Sequence, residues 1–486
     1  MRYQSTRSEY SVDDVRAVLD GIAPDGGLYV DPLLGSRDFD WKACLRLPPM
    51  KMAEALLRFQ LDGFTNMAGL VERAYADKFD TPELTPLVPV GEDYALELFH
   101  GPTSAFKDVA LSVLPQLIAA ARKQLGERGD TLILTATSGD TGKAALEGFC
   151  GVTGTRIVVF YPHGGVSAVQ RKQMVTQRGN NVAVCAVRGN FDDCQRGVKR
   201  AFGELKDRPG LRLSSANSIN IGRLAPQLVY YFIAYAKLAD SGRIRLGDKV
   251  DYVVPTGNFG DILAGYMAKR LGLPVGRLVC ASNANRVLTD FFETGIYDRR
   301  RAFLKTASPS MDILVSSNLE RLLFYALDGD TGEVRSLMTA LERDGVYRMD
   351  EAVMEKLRAE FSAFCCGEDD CAATIGELWK KHGYLCDPHT VVGFYAAEKY
   401  KELSADPGPV VVLSTASPYK FPGAVLRAIG AEAPEDEFEQ MDALRRLSGR
   451  AIPPKLASLR AAEERHLDVI GRDEMTAYVV EKGRTL

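Results

Sequence analysis

KVDYVVPTGNFGD, Lys249 to Asp261, sets the architecture of this chain. Its first part, KVDYVVPT, is an apolar, β-branched run of strand length. Its second part is a glycine loop that opens a helix from about Gly260. A strand that runs straight into a glycine turn and a helix is the repeating unit of a parallel sheet, because parallel neighbours need a crossover and the crossover is usually helical. The pattern recurs. TLILTAT (131–137) leads through a second glycine loop to a helix from about Thr141, RIVVFYP (156–162) to one over 167–178, and NVAVCAV (181–187) to one over 191–205. RLVCAS (277–282) and VVVLSTASPYKF (410–421) add further strands. Strands this apolar are buried on both faces. The expected class is therefore α/β, a mostly parallel sheet covered by helices. Ligands gather at the C-terminal ends of such strands, where both glycine loops fall.

Residues 1–95 form a small N-terminal unit. In it YQST is a strand, SVDDVRAVLDGI a helix capped by Ser11, and APDGG (23–27) a turn whose glycines supply positive φ. KMAEALLRFQ is a second helix, and TPELTPLVPV (81–90), with three prolines, an extended connector. Residues 96–430 carry the strand–helix repeats, with a charged helical excursion at 333–382. The tail, 431–486, alternates charged and apolar residues at helical spacing.

A length of 486 residues predicts two or three domains. The formal charge of −4 favours neither nucleic acid nor an anionic membrane as partner. No apolar window is long enough to cross a bilayer, and the start, MRYQSTRSEYSVDDVR, lacks the apolar core of a signal peptide. The nine cysteines are scattered, which predicts reduced thiols and a cytoplasmic protein. Cys365, Cys366, Cys371, His382, Cys386 and His389 lie at irregular spacing, so thiols rather than a metal site are expected.

HGPTSAFKD, His100 to Asp108, is the most chemically pointed stretch. Lys107 follows a turn and precedes an apolar run, and burial lowers the pKa of such an amine until part of it is a neutral nucleophile able to hold an aldehyde cofactor. TGNFGD (256–261) places glycines and free N–H groups at a helix N-terminus, a phosphate cradle. TSGDTG (137–142) does the same with the hydroxyls of Thr137, Ser138 and Thr141, and suits a carboxylate or a phosphate. Neither loop has the spacing of a P-loop or a dinucleotide fingerprint. In SSANSINIGR (214–223), Asn217, Ser218 and Asn220 offer donors and Arg223 can grip an oxyanion at two points. Thr415 ends a strand, where its hydroxyl can meet a ring nitrogen. Together these are the parts of a pyridoxal phosphate site.

STR, APDGGLYV, LELFHGPTSAFKD, LTATSGDTG, NSINIGRL, PTGNFGD, SPSMDILVSSNLERL, DPHT and STASPYKF, in that order, run over nearly the whole chain. In this order they resemble the threonine synthases, members of the tryptophan-synthase-β-like group of pyridoxal-phosphate enzymes. The resemblance implies a two-lobed, open parallel-sheet fold of type II with a small N-terminal domain and a helical C-terminal tail. It implies conversion of O-phospho-L-homoserine and water to L-threonine and phosphate, by a monomer or homodimer with pyridoxal 5'-phosphate as cofactor. Lys107 is then the Schiff-base lysine. Gly257, Asn258, Phe259, Gly260 and Asp261 hold the cofactor phosphate, and Thr415 meets the pyridine nitrogen. Thr137, Ser138, Gly139, Asp140 and Thr141 hold the substrate carboxylate, and Asn217, Ser218, Asn220 and Arg223 its phosphate. A phospho-lyase, a serine or threonine dehydratase and a catalytically silent relative are the alternatives on the same scaffold. The chain departs from many relatives at Ser104, Ser417 and Tyr419. Ser104 is expected to affect packing only, and no histidine remains in the 415–421 loop. His100 is expected to be a local hydrogen-bonding residue.

Overall fold

The protein is described here by a computed structural model covering residues 1–205, 208, 212–404 and 407–486. Two sheets organise it. The first runs in the order Val469–Gly471, Val182–Arg188, Thr155–Pro162, Thr131–Ala136, Arg212–Ser215, with every pairing parallel. The second runs Phe361–Cys365, Val275–Ser282, Val250–Pro255, Val410–Ser414, Asp93–Glu97, Leu87–Val90. It is parallel except for its last strand, which forms an antiparallel hairpin with Asp93–Glu97. The central strands are buried along almost their whole length, as the unbroken apolar runs require. Helices Phe191–Leu205 and Met475–Thr485 cover one face of the first sheet, their closest approach at Gly197, where a β-carbon would lie 2.1 Å from Met475 Sδ. Helix Asp140–Phe149 covers the other face, and Gly148 allows the helix at Lys107–Leu111 to lie against it.

The N-terminal unit is a three-stranded sheet, Ser11–Asp13, Arg2–Ser5, Tyr29–Val30, with helices Asp14–Asp20, Pro49–Gln60 and Met67–Tyr75. It is joined to the second lobe by the fork of Arg7 on Glu320, with both N···O distances 2.9 Å. Among the described residues no helix is long and apolar enough to cross a membrane.

Several expectations are corrected. The first helix is capped by Asp13, whose carboxylate accepts from Arg16 N at 2.7 Å, and Ser11 lies in a strand instead. An aspartate three residues before a free N–H does the capping more directly than a serine two positions earlier. Leu87–Val90 is a strand: Pro89 sits on the sheet edge, where a missing N–H costs no ladder bond. The 333–382 segment is more than a helical excursion, since Phe361–Cys365 within it is the other edge strand of the second sheet. The tail likewise contains the strand Val469–Gly471, which completes the first sheet beside Val182–Arg188.

Candidate active site

Lys107 opens the short helix Lys107–Leu111 and is 7 % exposed. Its Nζ donates to Ser310 Oγ at 3.0 Å and lies 3.9 Å from Asp140 Oδ2. Burial, with Lys420 and Arg223 adding like charge, pulls the amine down to about 8, against the opposing pull of Asp140. Asp108 does not neutralise it directly, because its two oxygens accept from Thr103 N (2.8 Å) and Thr103 Oγ1 (2.6 Å). Burial raises Asp108 to about 6.

Ser310 is itself held. Its N–H donates to His389 Nε2 at 3.2 Å, and His389 Nδ1 is 2.7 Å from Asp387 Oδ2. The other Asp387 oxygen accepts from Thr390 N and Thr390 Oγ1, and Thr390 Oγ1 accepts from Thr415 N at 3.0 Å. Thr415 is thus fixed from one side by Thr390 and from the other by Phe106 N, which donates to its carbonyl at 2.8 Å. Its hydroxyl has no hydrogen-bond partner among the described residues. The strand carrying Thr415 and the loop carrying Lys107 are therefore one hydrogen-bonded unit.

At the glycine loop Gly257–Asp261, the first helix amide to find a carbonyl is Leu263 N, to Phe259 O at 3.1 Å. The preceding N–H groups are open at the helix N-terminus. Phe259 adopts φ 62°, a left-handed conformation unusual for a bulky residue, and a β-carbon on Gly257 would lie 3.0 Å from Ser310 O. Ser316 Oγ and Asn318 hold the carbonyls of Gly257 and Asn258 away from the opening, at 2.7 and 3.0 Å. Asp261 turns inward, accepting from Tyr230 OH (2.6 Å) and Tyr231 OH (3.1 Å); burial raises it to about 7. Its carboxylate is therefore engaged by the two tyrosines, and the donors the loop offers include its backbone N–H groups.

In the 137–142 loop, Thr137 Oγ1 accepts from Gly139 N (3.0 Å) and Gly142 N (2.9 Å), so Thr137 shapes the loop. Ser138 and Thr141 are half-buried at its mouth. Asp140 is committed to cations: Lys420 Nζ is 2.6 Å from Oδ1, and Gln170 Nε2 donates to the same oxygen at 3.1 Å. Burial alone would raise this carboxyl, but Lys420 and Lys107 hold it well below the usual range. Its side chain faces cations rather than an incoming carboxylate.

Arg223 is 6 % exposed, donates to Ala216 O at 2.6 Å, and forms no ion pair among the described residues; burial alone lowers it to about 10. A guanidinium enclosed this way is a strong candidate for an external anion. Ser218 lies beside the Gly257–Asp261 loop, its Cβ 3.8 Å from where a β-carbon on Gly260 would stand. Asn217 is exposed. Asn220 differs from the expectation: its Nδ2 donates to Val18 O (2.9 Å) and its Oδ1 accepts from Gly222 N (2.8 Å), so it caps its own helix and ties it to the N-terminal unit.

The sequence had not marked Ser310, Asp387, His389, Lys420 or Arg321 as site residues. Arg321 is buried and donates to Tyr29 O (2.9 Å), Asn318 Oδ1 and Ile219 O. It links the loop at 214–223 to Asn318, which holds the Gly257–Asp261 loop. All five lie in stretches already singled out as motifs, SPSM, DPHT, YKF and NLERL, which was the available signal. His100 is held by Asp80 (2.7 Å) and Glu97 (2.9 Å), and these carboxylates raise its pKa against the effect of burial. Ser104 adopts φ 59°, and its carbonyl accepts from Ser417 N at 3.1 Å. Cys366 and Cys371 are 3.2 Å apart as thiols.

A buried lysine with a lowered pKa, an open glycine cradle tight against Ser310 O at Gly257, and a hydroxyl at a strand end with no partner among the described residues fit pyridoxal phosphate. Together with two helix-covered parallel sheets, they define a pyridoxal-phosphate enzyme of fold type II. The comparisons agree. Residues 84–416 match the family model "Pyridoxal-phosphate dependent enzyme", and residues 390–479 match "Threonine synthase, C-terminal". The threonine synthase of Pseudomonas aeruginosa is 40 % identical over 96 % of this chain and 95 % of its own. A pyridoxal-phosphate-bound threonine synthase from Brucella melitensis is 39 % identical, with TM-score 0.89 over the whole of both chains. The yeast threonine synthase structure is 33 % identical, with TM-score 0.89 over 99 % of this chain and 98 % of that one. Human threonine synthase-like 1 is 38 % identical over 90 % of this chain, which spans 61 % of that protein's length. This chain belongs to the threonine synthase family.

Proposed function

We propose that the protein converts O-phospho-L-homoserine and water to L-threonine and phosphate, in the cytoplasm, as a monomer or homodimer. What carries the reading is one buried site holding both a lysine amine of lowered pKa and a guanidinium with no ion-pair partner among the described residues, the needs of proton transfer and of a phosphate leaving group. Pyridoxal phosphate, when bound, supplies an aldehyde for amines and a ring that takes up the electron pair released beside the substrate nitrogen.

The chain's own residues do the rest. The amides of Gly257 to Asp261 hold the cofactor phosphate, and Thr415 meets the ring nitrogen with a neutral hydroxyl. Lys107, once the substrate amine has taken its place, removes the proton at Cα. Ser310 fixes the direction of its Nζ, and Asp140 at 3.9 Å stabilises the ammonium that results. The amides of the 137–142 loop orient the substrate carboxylate. Arg223 and Ser218 receive the phosphate, so that charge developing on the departing oxygen meets donors already in place. Closure of one lobe on the other excludes water until the phosphate has left.

The test is turnover of phosphohomoserine with both products followed. Threonine and phosphate in equal amounts support the reading. Phosphate with 2-oxobutyrate identifies a phospho-lyase, and bound cofactor without turnover identifies a silent relative. Lys107→Ala should abolish the reaction, and borohydride should fix the cofactor on Lys107 of the wild type.

A further inference from the structure

Lys420 closes the short turn Pro418–Lys420 behind the strand that carries Thr415, and it has no exposed surface. Its Nζ lies 2.6 Å from Asp140 Oδ1, and no second acceptor for the ammonium is found among the described residues. An ammonium has three donors. Enclosing one with a single carboxylate beside it leaves donors unsatisfied, a cost that an apolar side chain of similar length avoids. Asp140 is not a dedicated partner either: it also faces Lys107 at 3.9 Å and accepts from Gln170 Nε2 at 3.1 Å. Two buried ammoniums therefore face one carboxylate, and Arg223, which donates to the carbonyl of Ala216, has no ion-pair partner among the described residues. The interior therefore has cationic donors to spare, arranged around the place where Lys107 works.

We propose that Lys420 is a direct ligand of the substrate's phosphate, sharing that dianion with Arg223, while Asp140 holds the ammonium in place when no substrate is present. This deepens the reading given above and rests on it. A carboxylate is the other oxyanion the substrate carries. It is singly charged and is served by neutral amides in the 137–142 loop, whereas a phosphate dianion calls for a second cation. When the phosphate draws Lys420 away, Asp140 keeps Lys107 as its remaining close cation. Seating the leaving group then favours the protonated form of Lys107 at the moment it has taken the Cα proton.

Lys420→Met and Lys420→Arg, each loaded with pyridoxal phosphate, test this against wild type. Methionine removes a buried charge at similar volume, and the absorbance of bound cofactor checks that each variant is folded and loaded. The measurements are the affinity for inorganic phosphate, the affinity for L-threonine, which has the carboxylate but no phosphate, and KM for phosphohomoserine. The expected result is at least ~tenfold weaker phosphate affinity and higher KM in Lys420→Met, threonine affinity unchanged, and partial recovery in Lys420→Arg. Unchanged phosphate affinity overturns the proposal. So does equal weakening of threonine and phosphate, which would make Lys420 a carboxylate ligand or a scaffold residue. If wild type binds phosphate but does not turn over phosphohomoserine, the proposed reaction fails; a phosphate affinity that still depends on Lys420 then leaves the oxyanion site standing.

Discussion

Replacing Lys107 with methionine should make the cofactor-free protein more stable, by an amount that depends on pH in a defined way. In the folded chain the amine is pulled from 10.5 to about 8, chiefly by burial. Between these two values the unfolded chain binds a proton that the folded chain does not, so this group's contribution to stability rises with pH across that window. Below about pH 8 both states are protonated and the full cost of burying the ammonium is present. The difference is worth about 3 kcal/mol at pH 7. Lys107→Met removes that cost. Urea unfolding of the cofactor-free proteins should therefore show the variant about 3 kcal/mol more stable at pH 7, with the gain shrinking to nothing near pH 10.5. Asp140, which Lys107 helps to hold low, keeps Lys420 beside it in the variant and stays ionised across this window, so the difference reports chiefly on Lys107. A variant no more stable than wild type at pH 7, or a gain of the same size at both pH values, would refute the claim that the site holds this amine at the expense of the fold.

Three more expectations follow from the same geometry. Cofactor uptake by the apoprotein, followed by absorbance, should quicken about tenfold per pH unit up to about 8 and then level off, because only the neutral amine reacts. Gly148→Ala puts a β-carbon 1.9 Å from Leu111 O, between two backbones that cannot both give way, and should cost more than about 2 kcal/mol of stability, read as a lower thermal midpoint. Asp387→Asn turns a donor toward His389 Nδ1 and so places Nε2–H against the N–H of Ser310; turnover should fall at least ~tenfold while cofactor loading persists.

The central strands were legible because each is a closed apolar run ended by a loop, a purely local signal. The misread elements are those whose identity is decided by a distant partner. Phe361–Cys365 is short and flanked by charged helices, and only the open edge at Val275–Ser282 makes it a strand. Val469–Gly471 is likewise paired only with Val182–Arg188, far earlier in the chain. The same distinction governs the site. Lys107 announces itself beside its turn, and glycine loops announce themselves after strands. Lys420 and Arg321 look like any other basic residue in sequence, and become exceptional only because the fold closes over them. Asn220 failed in the opposite direction, since polar residues that cap helices and those that bind ligands share the same chemistry.

The last strand of the first sheet is made long after the strand it pairs with, Val182–Arg188. Until Val469–Gly471 leaves the ribosome, the ladder along Val182–Arg188 has an unpaired edge, and the face later covered by Met475–Thr485 is bare apolar surface. The chain from Val182 to Met475 must therefore emerge before this sheet can be sealed, a situation in which nascent chains can pair edge to edge with one another. A chain ending before Val469 would keep Lys107 and both glycine loops and still leave this edge and this face open.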